Sequence, residues 1–158
     1  YERAVETANI ISHIIGARVS VSPLFTERKS PSEVIGKRED DPQVQNILDR
    51  IDRSYHEDDY RYSDEENFLD QYGRAKWCLR YLARRSGRAT CIVTHHAFLK
   101  MLIASMLYPK ALHASDFVKL SFFNFASHGI TICEWHPWRS WGATGGWSII
   151  TWDEEPPM

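Results

Sequence analysis

The sequence has no long apolar run and no marked excess of charge of one sign. No uninterrupted apolar stretch approaches the roughly 18 residues that a membrane-spanning helix needs, and no signal-peptide pattern is present. The formal net charge of −2 at pH 7 gives the chain no general attraction to nucleic acid or to anionic lipid. We therefore expect neither a nucleic-acid partner nor a membrane.

The cysteines are too few and too irregularly spaced for a disulfide framework. Cys78, Cys91 and Cys133 are odd in number, lack the spacing of metal ligands, and each lie within or beside an apolar run. We expect buried free thiols and a reducing, cytoplasmic compartment. The chain also lacks a repeat, a low-complexity tract and a linker, so its 158 residues, 43% of them hydrophobic, predict a single domain with its own core.

The beginning of the chain predicts an amphipathic helix over residues 2–15. Its apolar stripe has helical spacing and consists of Ala4, Ala8, Ile11 and Ile15. Gly16 follows the stripe and is expected to end the helix. The start has no capping side chain, because neither Tyr1 nor Glu2 is a capping residue. We therefore expect the chain to begin inside an element, with a segment upstream of Tyr1 missing.

Further along the chain, predicted strands alternate with predicted helices. The strand patterns cover residues 18–21, 90–94, 130–135 and 147–152. The helix patterns cover residues 42–55 behind the cap Asp41, 63–82 from a capping box at 63–66, 97–107 and 115–120. Polar loops at 22–41 and 56–62 lie between them. This alternation predicts an α/β fold of three layers, with a largely parallel sheet covered by helices on both faces.

Two adjacent histidines, His95 and His96, lie between the predicted buried strand 90–94 and the predicted helix 97–107. In open α/β sheets ligands bind at the carboxyl ends of strands, and a helix N-terminus there favours an anion. Taken singly, each polar residue of interest has a structural interpretation. A histidine beside a strand end, Arg3 in a first helical turn and Glu27 in a polar loop are each more often structural or solvated.

Taken in order, four stretches resemble one family. YERAVETA is similar to the Ser-x-x-Arg-Ala-x-x-Thr-Ala stretch of the histidine phosphatase superfamily, the phosphoglycerate-mutase-like proteins. PLFTER resembles that family's approach to a Glu-Arg pair, and IVTHHAFLKML resembles its Val-Ser-His-Gly-x-x-x-Arg segment. NFASHGITICEW is similar to the loop and strand that close the family's site. The resemblance covers nearly the whole chain, with its parts in the family's order.

The resemblance implies phosphoryl transfer through the histidine of an Arg-His-Gly motif, with no metal and no cofactor. It implies that Arg3 grips phosphate, that Glu27 is the general acid and base, and that His95 is the second histidine beside the phosphoryl oxygens. Arg28 would be a further substrate contact. His96 stands where the family has glycine, so either a second imidazole lines the pocket or the backbone approaches phosphate differently.

The largest departure from the family is that residues 1–158 contain no Arg-His-Gly motif. We expect the nucleophile and its strand upstream of Tyr1, with residues 1–158 forming the C-terminal portion of one histidine-phosphatase-like domain. The other interpretation is a fragment that cannot turn over by the family mechanism. A mutase is disfavoured, because the Glu-Arg pair is followed by Lys29-Ser30-Pro31 rather than by the mutases' His-Tyr-Gly.

The function predicted is a phosphatase that hydrolyses a phosphate ester or related phosphoryl compound through a phosphohistidine. Its expected partner is a phosphorylated small molecule or phosphate anion. A non-catalytic phosphate-binding or interaction module without the nucleophile is the rival hypothesis. A metal site at His95, His96 and a loop carboxylate is a third, although adjacent histidines on a strand point apart. The sequence is silent on oligomeric state, so a homodimer stays an open alternative.

The tryptophans are concentrated near the end of the chain. Four of the six lie from Trp135 to Trp147. They could wall a pocket or a partner surface, and aromatic cross-strand pairs in a terminal hairpin are the structural alternative.

Overall fold

Helices contribute more residues than strands to the computed structural model, which describes residues 2–85, 89–120, 129–138 and 144–154. In chain order these are α1 (Glu2–Ile15), a 3₁₀ helix (Pro23–Phe25), α2 (Pro42–Ser54), α3 (Phe68–Ala83), α4 (His96–Leu107) and α5 (Ala114–Lys119). Two strands follow them, β1 (Ile130–Trp138) and β2 (Thr144–Glu154). The described chain therefore mixes helix and strand, in agreement with the predicted α/β class at that coarse level. None of the described helices is both long and apolar enough to cross a membrane.

The ends of α1 and α2 lie close to where the sequence predicts them. Gly16 has a φ of +67°, the left-handed conformation that commonly follows a helix and that glycine adopts without steric cost. Asp41 is the N-cap of α2, and its side chain accepts a hydrogen bond from the Gln43 amide while Pro42 occupies the first turn. Both predicted boundaries are confirmed, because each depends on chemistry within a few residues.

The start of α3 differs from its prediction. The helix begins at Phe68, and its capping box consists of Asn67 and Asp70 rather than of residues 63–66. The carboxylate of the predicted box, Glu66, accepts from the Lys29 amide and binds Arg74, and the neighbouring Glu65 is buried and accepts from the Tyr62 and Ser63 amides. These local acceptors hold residues 63–66 as a loop, so the predicted capping box was wrong.

Two predicted strands are not formed in the described chain. Residues 18–21 and 90–94 have no assigned secondary structure. A buried strand requires neighbours for its backbone N–H and C=O groups, and the sheet among the described residues contains only β1 and β2. Cys91 is consequently exposed, whereas Cys78 is buried and Cys133 is half-buried. The expectation of three buried thiols was therefore wrong for Cys91.

The two strands β1 and β2 form an antiparallel pair at the end of the chain. Trp135 lies opposite Trp147, and their ring centroids are 5.5 Å apart. This is the aromatic cross-strand pair that the structural interpretation of the tryptophans predicted, and such a pair stabilises a hairpin by roughly 0.2–1 kcal/mol.

The core lies where α3 packs on α4, with Leu112 and Ala114 beside them. The residues that the two helices contribute to this hydrophobic core cluster are Phe68, Tyr72, Ala75, Cys78, Leu79, Phe98, Met101, Leu102 and Ala104. Phe117 of α5 extends the core, with its ring centroid 5.9 Å from that of Phe68. Because α4 packs on α3, the start of α4 has a fixed position, and so does His95 directly before it.

The apolar stripe of α1 is not buried in the described chain, since every residue of this helix retains at least partial exposure to solvent. Ile15 is 60% exposed, and Ile10 and Ile14 beside the stripe are also exposed. An amphipathic helix buries its stripe against another layer, and the described residues provide only the two-stranded sheet of β1 and β2.

Candidate active site

The carboxylate of Glu27 lies at the N-terminus of α4. Its Oε1 atom accepts a hydrogen bond from the Phe98 amide at 3.1 Å, and its Oε2 atom accepts from the Ala97 amide at 3.4 Å. Oε1 also accepts from the Arg28 amide at 2.9 Å. The helix N-terminus that the sequence offered for an anion therefore already binds a carboxylate of the same chain.

His95 is the N-cap residue of α4, although its imidazole does not cap the helix. Glu27 supplies the acceptor that an N-cap side chain would otherwise provide. The two segments are joined a second time, because the Thr94 hydroxyl donates to the Phe25 carbonyl at 2.7 Å. Glu27 and His95 are thus brought together although 68 positions separate them in the chain.

The environment of His95 favours the neutral imidazole. The side chain is buried, with 9% of its surface exposed. Burial lowers the pKa of His95, Glu27 opposes that change by attracting the imidazolium, and Arg3 adds to it by repulsion. Arg3, in the exposed first turn of α1, therefore acts on this imidazole through its charge. The direct contacts at the start of α4 are those of Glu27.

Arg28 contacts a different part of the molecule. Its guanidinium lies 4.8 Å from the ring centroid of Tyr55, the residue that ends α2. The Tyr55 hydroxyl also accepts a hydrogen bond from the buried Gln71 side chain at 2.9 Å. Burial raises the pKa of Tyr55, while the nearby Arg28 charge acts in the opposite direction. Arg28 is thereby held by Tyr55, next to Glu27 in sequence but directed towards α2.

His96 is exposed and opens α4, so the two adjacent imidazoles have different environments. In the part of the chain that the structure describes, no three His, Cys, Asp or Glu side chains are grouped so that they could hold a metal ion. The segment preceding the late strand, which includes Asn124 and His128, lies in 121–128, outside the described residues.

Sequence reasoning missed two residues that support the site: Arg74 of α3, and Glu66 in the loop that precedes this helix. Arg74 Nη1 donates to the Leu24 carbonyl at 3.0 Å and to the Thr26 carbonyl at 2.8 Å. Its Nε and Nη2 atoms bind the two carboxylate oxygens of Glu66, each at 2.6 Å. The sequence offers little indication of this role for Arg74, because it shows only a charged residue directly before Ala75, which is buried in the structure.

The polar loop 22–41 is attached beside the site to residues 63 and 64, which directly follow the second loop, 56–62. The Ser32 amide donates to Asp64, and the Ser63 hydroxyl donates to Glu33, both at 2.8 Å. The Lys29 ammonium group also binds Asp64, and this hydrogen bond is the main reason that the pKa of Asp64 lies well below its usual value. The loop that carries Glu27 is therefore anchored to the segment that leads into α3.

The arrangement brings a carboxylate and an imidazole of lowered pKa to the N-terminal end of one helix, with the Arg3 charge acting on the imidazole, and such groups suit the handling of a phosphoryl group. The sequence model of the histidine phosphatase superfamily (branch 1) matches residues 1–153. The chain belongs to this superfamily, which confirms the resemblance found in the sequence. Membership supports phosphatase or mutase-like activity on phosphorylated substrates at the level of the superfamily. Searches of curated proteins and of solved structures gave no match.

Proposed function

We propose that this protein is a phosphatase that hydrolyses a phosphate ester, or a related phosphoryl compound, through a phosphohistidine intermediate. The observation that carries the proposal is the Glu27 carboxylate bound at the start of α4 beside His95, and the charge of Arg3 acts on the same imidazole. The nucleophile would be the histidine of the family's Arg-His-Gly motif, which does not occur in residues 1–158.

In the proposed reaction the nucleophilic histidine attacks phosphorus, and the bond to the leaving oxygen breaks. Arg3 binds two phosphoryl oxygens, and His95 stabilises the charge that develops on them. Glu27 protonates the leaving oxygen and later takes a proton from the water that hydrolyses the phosphohistidine. Oε2 is the better placed of its two oxygens for this transfer, because Oε1 accepts from two amides and Oε2 only from the Ala97 amide at 3.4 Å.

Arg28 and His96 complete the proposed substrate site. Arg28 would contact the part of the substrate beyond the phosphoryl group, from its position against Tyr55. His96, at the exposed start of α4, would line the entrance. The proposed mechanism uses no metal and no cofactor.

A non-catalytic phosphate-binding or interaction module is the second candidate. The observation that favours it is the absence of Arg-His-Gly from residues 1–158. The mass and N-terminal sequence of the protein isolated from its natural source distinguish the two. A preceding segment with that motif supports the enzyme, and a mature N-terminus at Tyr1 supports the module.

Phosphate binding is tested by thermal unfolding in phosphate, sulfate or vanadate. We expect each anion to raise the unfolding temperature, because a ligand that binds only the folded state stabilises it. Arg3→Gln should remove most of the increase, whereas Arg38→Gln, at an exposed ion pair with Asp40, should leave it unchanged. A folded protein that no anion stabilises would contradict both candidate functions.

The proton donor is tested with two substrates of the intact protein. Glu27→Gln should slow hydrolysis of glycerol phosphate by about 10²- to 10⁴-fold, the usual contribution of a general acid. It should largely spare p-nitrophenyl phosphate, whose acidic phenol leaves without a proton, and the phosphohistidine should still form from that substrate. Glu39→Gln, at an exposed position, is the matched control. Equal losses on both substrates would mean that Glu27 is not the proton donor.

We further propose that residues 1–158 form the C-terminal portion of one histidine-phosphatase-like domain with a three-layer, largely parallel sheet. A cytoplasmic location is supported by the three free cysteines. Light scattering of the purified protein measures whether it forms a homodimer.

A further inference from the structure

Arg74 holds an unusual number of partners for an arginine that belongs to a packed helix. Its side chain is only 14% exposed, and that of Glu66 is 18% exposed. Four oxygen acceptors surround the guanidinium: both carboxylate oxygens of Glu66 and the backbone carbonyls of Leu24 and Thr26. The guanidinium carbon also lies 3.8 Å from the ring centroid of Phe98.

These partners lie on both sides of the hydrogen bond that the Phe98 amide of α4 donates to Glu27. Thr26 directly precedes Glu27, so the hydrogen bond to the Thr26 carbonyl fixes the backbone that carries the carboxylate. Phe98 contributes the amide that donates to Glu27 and the ring on which Arg74 stacks. Arg74 therefore contacts the donor residue, Phe98, and the backbone of Thr26, the residue directly before the acceptor Glu27.

Only arginine can make this set of contacts. Its guanidinium provides five donors in a rigid fork and a flat face that stacks on an aromatic ring. A lysine ammonium provides three donors on a flexible stem and has no flat face, so it cannot bind four acceptors and cover Phe98 at once. A charge that merely balanced Glu66 would not require the two carbonyl bonds.

We propose that Arg74 is a positioning residue that sets the place of the Glu27 carboxylate relative to α4 and His95. Glu66 holds the guanidinium in its orientation, and the guanidinium holds residues 24–26 against Phe98. The geometric claim stands on these contacts alone, and its effect on turnover rests on the proposed phosphatase function.

The geometric claim is tested in the intact protein by NMR of the Phe98 amide. Because this amide donates to Glu27, its proton shift should change when the carboxylate is titrated, and Glu27→Gln should abolish that change. In Arg74→Lys we expect most of the change to be lost at temperatures where the protein is fully folded. Arg80→Lys, at an exposed position of the same helix, should retain it. A purely structural role of Arg74 would lower the unfolding temperature and leave the Phe98 titration intact.

A second variant keeps the test decisive if Arg74→Lys does not fold. Glu66→Gln preserves the volume of the side chain and one carbonyl acceptor but removes the charge that orients Arg74. It should weaken the Phe98 titration in the same direction. Either folded variant with an unchanged Phe98 titration would overturn the proposal.

Kinetics then separate this proposal from the proposed function. Arg74→Lys should lower kcat on glycerol phosphate by about 10- to 100-fold, the order expected from a small misplacement of a catalytic group, with little change in KM. It should affect p-nitrophenyl phosphate much less, and Arg80→Lys should affect neither substrate. If the wild-type protein hydrolyses no phosphate ester while the Phe98 titration depends on Arg74, the positioning role stands and the proposed function fails. If it hydrolyses both substrates and Arg74→Lys leaves kcat unchanged, the positioning has no role in turnover and that part of the proposal is overturned.

Discussion

Glu27 should stabilise the fold as well as take part in the proposed chemistry, because its carboxylate caps α4. Replacing it with alanine removes the acceptor of the Phe98 and Ala97 amides and leaves both at the helix start without it. Loss of a helix cap costs typically about 1 kcal/mol. Loss of a negative charge from a helix N-terminus costs roughly 0.3–1 kcal/mol more.

We therefore expect Glu27→Ala to lower the free energy of unfolding by about 1.5 kcal/mol, and the unfolding temperature by about 3 to 6 °C for a chain of this length. Glu27→Gln keeps one carbonyl oxygen as an acceptor but loses the charge and the second carboxylate oxygen, so its cost should exceed the roughly 0.3–1 kcal/mol of the charge alone and remain below that of the alanine variant. The order of stability expected is wild type, then glutamine, then alanine.

Urea and thermal unfolding followed by circular dichroism measure this order. Glu39→Ala, an exposed change in the same loop, is the control and should lie within about 0.5 kcal/mol of the wild type. If Glu27→Ala is no less stable than Glu39→Ala, the carboxylate does not cap α4 in solution, and the site geometry described above is wrong.

Two further predictions concern titratable groups outside the site. The Asp58 carboxylate raises the pKa of His113, so the pair stabilises the fold below the unfolded-state pKa of about 6.5, and this stabilisation is lost as pH rises through the higher folded-state value. The stability of the wild type relative to His113→Gln should therefore fall as pH rises above about 6.5. A difference that does not vary with pH would contradict the pairing. His95 is present in both proteins, so its opposite contribution cancels in the comparison. Iodoacetamide should modify exposed Cys91 before Cys78, since burial raises the pKa of the Cys78 thiol to about 11 and the thiolate is the reactive form. Peptide mass spectrometry measures the labelling rate of each thiol in the folded protein. Equal rates for Cys78 and Cys91 would refute this order.

The family could be read from the sequence, which also named three candidate site residues, but the mutual geometry of those residues could not be read from it. The spacing of YERAVETA, PLFTER and IVTHHAFLKML named Arg3, Glu27 and His95 without any knowledge of distances. The sequence also offered the α4 N-terminus as an anion site. Only the folded chain reveals that Glu27 itself occupies those amides.

Local chemistry explains which boundaries the sequence determined by itself. The Asp41 cap and the Gly16 stop are decided within a few residues, by one side-chain oxygen and one backbone conformation. The four-residue pattern at 63–66 had the same form as a true cap. It failed because the carboxylate of Glu66 binds the Lys29 amide and the Arg74 guanidinium, partners that lie outside residues 63–66.

Tertiary structure alone decided the support of the site. Arg74 meets carbonyls 48 and 50 positions away in the chain, and Glu27 meets amides 70 and 71 positions away. No periodicity or composition encodes such pairs, because they exist only once α3 and α4 have packed together. Hydrophobic spacing determined that those helices form, whereas the packing of Phe98 and its neighbours determined which polar groups became partners.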